Sequence, residues 1–285
     1  MKKVFLSVLA VLALFFVSAA CTKKQDSLPD KPALVSATGA YEKYFGTAPT
    51  ADKGTCYAFV IYFPSKKEPG KVVPFPFFTF DEASLKKVAL ARLVEGMDIG
   101  SYQGEFQPFP AGTRAVINEN KGAVTVTLSR EFERAVQDGS AENAARSITL
   151  TLRQFKGVST VRILVKGSNT PYDIQTGEST ILTPGPPRLL SITAMRDKEA
   201  KVIEDLNVFF DRPVEIKELK LLDKDGKQYD GQLFHSVFDM AAVLKPKNPA
   251  QFKERMPIKV RWKVVDKLGR QAEGDNVWLL EMKEH

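Results

Sequence analysis

The chain has 285 residues, 44% hydrophobic and 26% charged, with a formal net charge of +7. Those proportions are those of a folded globular protein and exclude a disordered or collagen-like chain. Lysines and acids alternate, as in Lys198-Glu199 and along 215–220 and 223–227, so no single-signed patch forms and nucleic acid is excluded as a partner. Two cysteines, Cys21 and Cys56, are too few for a disulfide scaffold.

The chain opens with Lys2 and Lys3, then an apolar run over 4–17 broken only by Ser7, then small residues leading into Cys21. A positive end followed by a short apolar core and small residues is the pattern of an export signal, and the run is short for a spanning helix. Residues 1–21 resemble a bacterial lipoprotein signal, whose cysteine thiol receives a diacylglycerol before cleavage and becomes the mature N-terminus. Ser18 stands where such signals most often carry Leu, Val or Ile. An ordinary secretory signal cleaved near Ala20, or an uncleaved anchor, also fits the residues. The resemblance implies a lipid attachment at Cys21 and an extracytoplasmic body held at a membrane, the outer one where a host has two, because Thr22 is not the aspartate of inner-membrane retention.

Residues 22–53 begin polar, charged and proline-broken, and read as a flexible linker. Cys56 lies in the apolar run 56–63, so a buried, inert thiol is expected. An unmodified Cys21 would leave a Cys21–Cys56 disulfide open. Residues 57–63 are apolar on both faces, as in a buried strand. The stretch 74–80 is extended because proline disfavours helix around it. Its rings, Phe75 and Phe77 among them, read either as core or as a surface that receives a partner.

A helix is predicted after Asp81, a plausible N-cap, with Leu85, Val88, Ala89 and Leu93 on one face and Gly96 at its end. Two strands, 114–117 and 124–128, flank a turn at Asn120-Lys121-Gly122. A second helix starts near Ser140 with a stripe of Ala144, Ala145, Ile148, Leu152 and Phe155, and a strand follows at 161–165. The order predicts an α+β domain over 54–183, a mixed sheet with two helices on one face.

Five segments in this region resemble the GerMN domain of sporulation and spore-germination proteins. They are ALARLVEG at 89–96, FPAGT at 109–113, VTVTLSREF at 124–132, ITLTLRQF at 148–155 and VSTVRILVKG at 158–167. The likeness covers roughly residues 55–182. Such domains usually show Asp-Leu-Ser where this chain has Thr127-Leu128-Ser129, so one carboxylate is missing. The resemblance implies a role in spore formation or germination, or in envelope assembly. It also implies self-association, since these domains are similar in element order to ring-building motifs.

Three prolines and a glycine within 183–187 cannot continue a helix or a central strand, so residues 184–187 read as a linker. Beyond it, seven short strands are expected at 189–193, 203–210, 218–222, 232–234, 242–244, 258–265 and 277–281, with turns at 223–227 and 267–270. That rhythm predicts an all-β sandwich over 188–285. The segment LNVFFDRPV at 206–214 resembles bacterial Ig-like modules, a fold shared by copper-carrier sandwiches.

Catalytic and metal chemistry is poorly supplied. His235 and His285 are the two histidines, and His235 has no cysteine, methionine cluster or second histidine near it in sequence. No Gly-x-Ser-x-Gly elbow or phosphate-binding glycine loop occurs. Asp81, Glu82, Glu95 and Glu105 are the acids available for a glycan-cleaving pair. The expectation is a lipid-anchored, non-enzymatic envelope protein without cofactor or metal. It is expected to bind an envelope protein or itself through an α+β domain. A ligand- or metal-binding carrier is the alternative, and a cell-wall hydrolase a third.

Overall fold

The computed structural model describes residues 34–50, 54–97, 100–168, 171–172, 174, 176–200 and 202–284. The signal segment and Cys21 lie outside the described residues.

Part of the expected linker is built into the body. Residues 34–46, placed by sequence in a flexible segment, form strand β1 (Leu34–Ala37) and helix α1 (Gly39–Phe45). β1 lies parallel on the edge of β2 (Thr55–Pro64), pairing Leu34 with Thr55 and Ala37 with Ala58. The Thr38 hydroxyl accepts from the Tyr41 amide at 3.2 Å and starts α1, which buries Tyr41 and Phe45. Four strand residues and two helical turns are too short to show a period in the sequence; their apolar residues are held by tertiary packing.

β3 (Val72–Thr79) runs antiparallel to β2 and completes a three-stranded sheet, β1-β2-β3. A second three-stranded sheet has the order β4-β5-β6, from Ala115–Asn120, Ala123–Leu128 and Thr160–Val165. β4 and β5 are antiparallel, β5 and β6 parallel. The mixed sheet expected from sequence is therefore two smaller mixed sheets. The α+β character holds. Helix α2 (Leu85–Glu95) buries Ala89, Leu90 and Leu93. A short α3 (Glu133–Gln137) leads into α4 (Ala141–Arg153), which packs Ala144, Ala145, Ile148 and Leu152 into the same core as Phe59, Phe63, Val126 and Ile163.

The C-terminal half is all-β. Strands β7 (Leu189–Arg196), β8 (Asp205–Phe210), β10 (Gly231–His235), β11 (Ala241–Pro246) and β14 (Glu281–Glu284) form one sheet, ordered β10-β11-β8-β7-β14. Strands β9 (Val214–Leu222), β12 (Pro257–Asp266) and β13 (Gln271–Leu279) form the other, ordered β13-β12-β9. A core of Ile192, Leu206, Phe210, Val260, Trp262 and Val264 fills the space between them. The strand expected at 277–281 is really a crossing point. Leu280 is fully buried between β13 and β14, where the chain passes from one sheet to the other.

Two glycines mark where the halves meet. Gly100 has φ +52°, and a Cβ there would stand 1.7 Å from the Leu190 carbonyl oxygen of β7. Gly46, at the end of α1 with φ +78°, lies against Lys267 and Leu268 in the β12–β13 turn. Gly100→Ala should therefore force the halves apart and cost about 2–4 kcal/mol, through overpacking and a disfavoured left-handed residue. Denaturant unfolding reads the loss, and limited proteolysis should show faster cutting at 183–187.

Candidate interaction surface

The phenylalanine stretch on β3 is divided by the two-residue period of a strand. Phe75 and Phe77 turn to the main core. Phe75 is 5% exposed and meets Tyr102 edge-on at 5.7 Å, while Phe77 lies 6.2 Å from Phe59. The expectation that these two rings offer a surface to a partner is corrected: both serve the interior. Phe78 and Phe80 face the other way. Phe78 stacks on Phe238 with centroids 4.7 Å apart and planes 7° from parallel, and Phe80 lies 5.6 Å from the same ring. Phe238 sits at the tip of the β10–β11 hairpin with φ +69°, so the chain's own sandwich covers Phe78 and leaves Phe80 largely exposed.

The acids singled out by sequence do not converge. The Asp81 carboxylate accepts from the Ser84 amide at 3.1 Å at the head of α2, and Glu95 pairs with Arg92 at 2.8 Å. Glu82 bonds to Tyr57, raising that phenol. Glu105 takes a bidentate fork from Arg188, 3.0 Å on each oxygen, and a third bond from Lys67 at 2.9 Å. The Arg188 guanidinium holds the Glu105 carboxyl below the usual carboxylate range. His235 is exposed on β10. Among the described residues no group of three or more His, Cys, Asp or Glu is placed to hold a metal. Cys56 is a fully buried free thiol whose pKa burial pushes up, which leaves it inert.

Several concave surfaces lie on the α+β lobe. A groove of about 850 Å³ runs between α2 and β4, lined by Leu90, Val94, Phe109, Val116 and Ile117, with Lys87 and Arg114 supplying charge. Val116 is 59% exposed. The outer edge of β6 is covered, because the Tyr172 amide donates to the Ile163 carbonyl at 2.9 Å. The outer edge of β4 carries no further strand among the described residues. A second hollow of about 600 Å³ lies between Ser36, Tyr57 and Lys86 and is closed below by Gln154.

Gln154 was quoted in the sequence only as part of a motif, yet it stitches α4 to β2. Its side-chain oxygen accepts from the Val60 amide at 2.8 Å and the Thr38 hydroxyl at 2.9 Å, and its amide donates to the Val60 carbonyl. A side chain that mimics a neighbouring strand leaves no periodic signal.

The halves thus define a class: an α+β lobe with a grooved, open-edged sheet, fused to an Ig-like sandwich. Residues 60–170 match the family described as Germane, sporulation and spore germination. Over that stretch the chain is similar to the GerMN-type domains of sporulation and germination proteins.

Among solved structures it is similar to the tandem GerMN domains of the sporulation protein GerM from Bacillus subtilis, at 19% identity and a TM-score of 0.33. That likeness covers 60% of this chain and 57% of the other, so the chain spans less than two thirds of that structure. It is also similar to CopC from Methylosinus trichosporium OB3b, at 17% identity and a TM-score of 0.24 over 35% of this chain and 97% of the other. No curated protein matches.

The Glu105–Arg188 fork gives a pH signature. A carboxyl held low in the folded state contributes stability that is full above about pH 4.5 and is lost as pH falls through its folded value. Glu105→Gln should cost about 1–2 kcal/mol at pH 7. The gap between wild type and variant should close on acidification below about pH 4.5, read by urea unfolding at stepped pH.

Proposed function

We propose that this protein is an extracytoplasmic lipoprotein, anchored through Cys21, whose GerMN-type domain works without catalysis as an assembly module in sporulation or spore germination. The match of residues 60–170 to the germination family carries the reading. The signal-like start supports the anchor, because two acyl chains on one cysteine give stable membrane attachment. The fate of the acids supports the rest: those named as catalytic candidates hold the turn before α2 or sit in ion pairs and hydrogen bonds with neighbours. Accessible chemistry on the lobe is of another kind, an apolar groove beside an unpaired strand edge. Such edges recruit a further strand or a second copy.

Metabolic labelling with palmitate tests the anchor. The wild-type protein should carry label and sediment with membranes, whereas Cys21→Ala should lose both. Analytical ultracentrifugation tests association. The protein should form concentration-dependent oligomers, and Val116→Lys, on the exposed edge of β4, should weaken them by roughly tenfold or more, since a charge there opposes edge pairing. A species that stays monomeric at high concentration, with no partner recovered by crosslinking in cells, would count against the assembly role.

A further inference from the structure

Residues 34–46 belong to the folded body, which shortens the connection to the membrane. Twelve residues, 22–33, separate Cys21 from the first residue of β1. A chain of that length spans at most roughly 45 Å.

The strand register says which end of the lobe that connection enters. β1 begins at Leu34 beside Thr55, the first residue of β2, and β3 ends at Thr79 beside Tyr57. The start of β1, the start of β2 and the end of β3 therefore share one end of the sheet. The same end carries exposed apolar side chains: Leu34 is 59% exposed, and Phe80, just past β3, is 58% exposed. Phe80 lies against Phe238 at the hairpin tip. Four residues before Phe238, Phe234 on β10 is also largely exposed. The opposite end of the sheet, around Lys66, Lys67 and Glu68, is exposed and charged. It stands the length of β2 away, about 30 Å for ten residues.

We propose that the end of the α+β lobe bearing Leu34 and Phe80 rests on the lipid surface and inserts these side chains into the headgroup boundary. The inference rests on the anchor reading of Cys21. The occupant is a lipid surface because the chain enters the body at this end through a short connection. Tethering makes the second contact intramolecular, with an effective concentration on the order of millimolar, so a small apolar patch suffices. Apolar rings at the boundary between headgroups and acyl chains supply that kind of contact.

The test uses the full-length acylated protein in vesicles of phosphatidylethanolamine and phosphatidylglycerol. A benzophenone-bearing residue replaces Phe80 in one variant and Glu68 in another. Both sites are exposed, so neither replacement disturbs the core. Lipid adducts at position 80 should exceed those at position 68 at least fivefold, and a probe at Leu34 should behave as position 80 does. Equal labelling at both ends, or adducts at position 80 to a second copy or to another protein, would overturn the proposal. Mass spectrometry of the N-terminal peptide reads the anchor separately. An acylated Cys21 with no lipid adduct at position 80 sinks the resting face and leaves the anchor standing. An unmodified Cys21 with strong labelling at position 80 sinks the anchor and supports the face on its own.

Discussion

The architecture depends on one buried carboxylate. Asp211 is almost wholly enclosed, and each of its oxygens accepts two hydrogen bonds. One oxygen takes the Arg188 amide at 3.1 Å and Arg212 Nε at 3.0 Å. The other takes the Tyr102 hydroxyl at 2.8 Å and Arg212 Nη2 at 2.9 Å. Burial raises the Tyr102 phenol, so it stays a neutral donor. A buried charge with every acceptor position filled is tolerated; the same charge with one donor missing is costly. The cluster therefore prescribes a geometry, because four donor groups from Tyr102, Arg188 and Arg212 must arrive together.

Those donors tie the sandwich to the lobe. Tyr102 belongs to the loop after α2, Arg188 to the start of the sandwich and Arg212 to its β8–β9 turn. Arg212 continues to the Gly185 carbonyl at 2.9 Å and faces Asp266 at 3.5 Å. Asp266 holds Arg270 at 2.6 Å, and Arg270 donates to the carbonyls of Pro184 and Tyr44, each at 2.8 Å. The proline-rich segment thus offers its carbonyls as ligands to two arginines. A segment that reads as a linker because proline removes amide donors retains every carbonyl acceptor, and the fold uses those acceptors to fix the halves. Gly100 and Gly46 permit the close approach that lets the cluster form.

What was legible in the sequence follows from what leaves a local period. Helices α2 and α4 announced themselves through stripes such as Leu85–Val88–Ala89 and Ala144–Ala145–Ile148, and most sandwich strands through alternation and turn residues. β1, α1 and α3 were silent, since four to seven residues hold two periods at most, too few to stand out, and are stabilised by what they pack on. The split into two small sheets was equally hidden, because pairing partners are set by long-range contacts. Phe75 and Phe77 were visible as apolar but not as inward; only the register of β3 against β2 decides the face. The motif around Asp211-Arg212-Pro213-Val214 was read as a fold signature. Its charged pair is better understood as the seam's clamp, and no local pattern in the chain points from Asp211 to Tyr102, more than a hundred residues earlier.

This distribution of charge bears on function. Glu105 has a depressed pKa, which in isolation is a reason to suspect chemistry. Its three donors are Arg188 and Lys67, so the perturbation belongs to the joint between halves. Asp211, Asp266 and their arginines are spent in the same way, on geometry. Among the described residues, the body presents outward the α2–β4 groove, the outer edges of β4 and β10, which no further strand covers, and the rings of Phe80 and Phe234. All of them favour burial against something else. A hinge at 184–187 would disperse the relative orientation of these surfaces, and the bonds from Arg212 and Arg270 to the carbonyls of that segment oppose one.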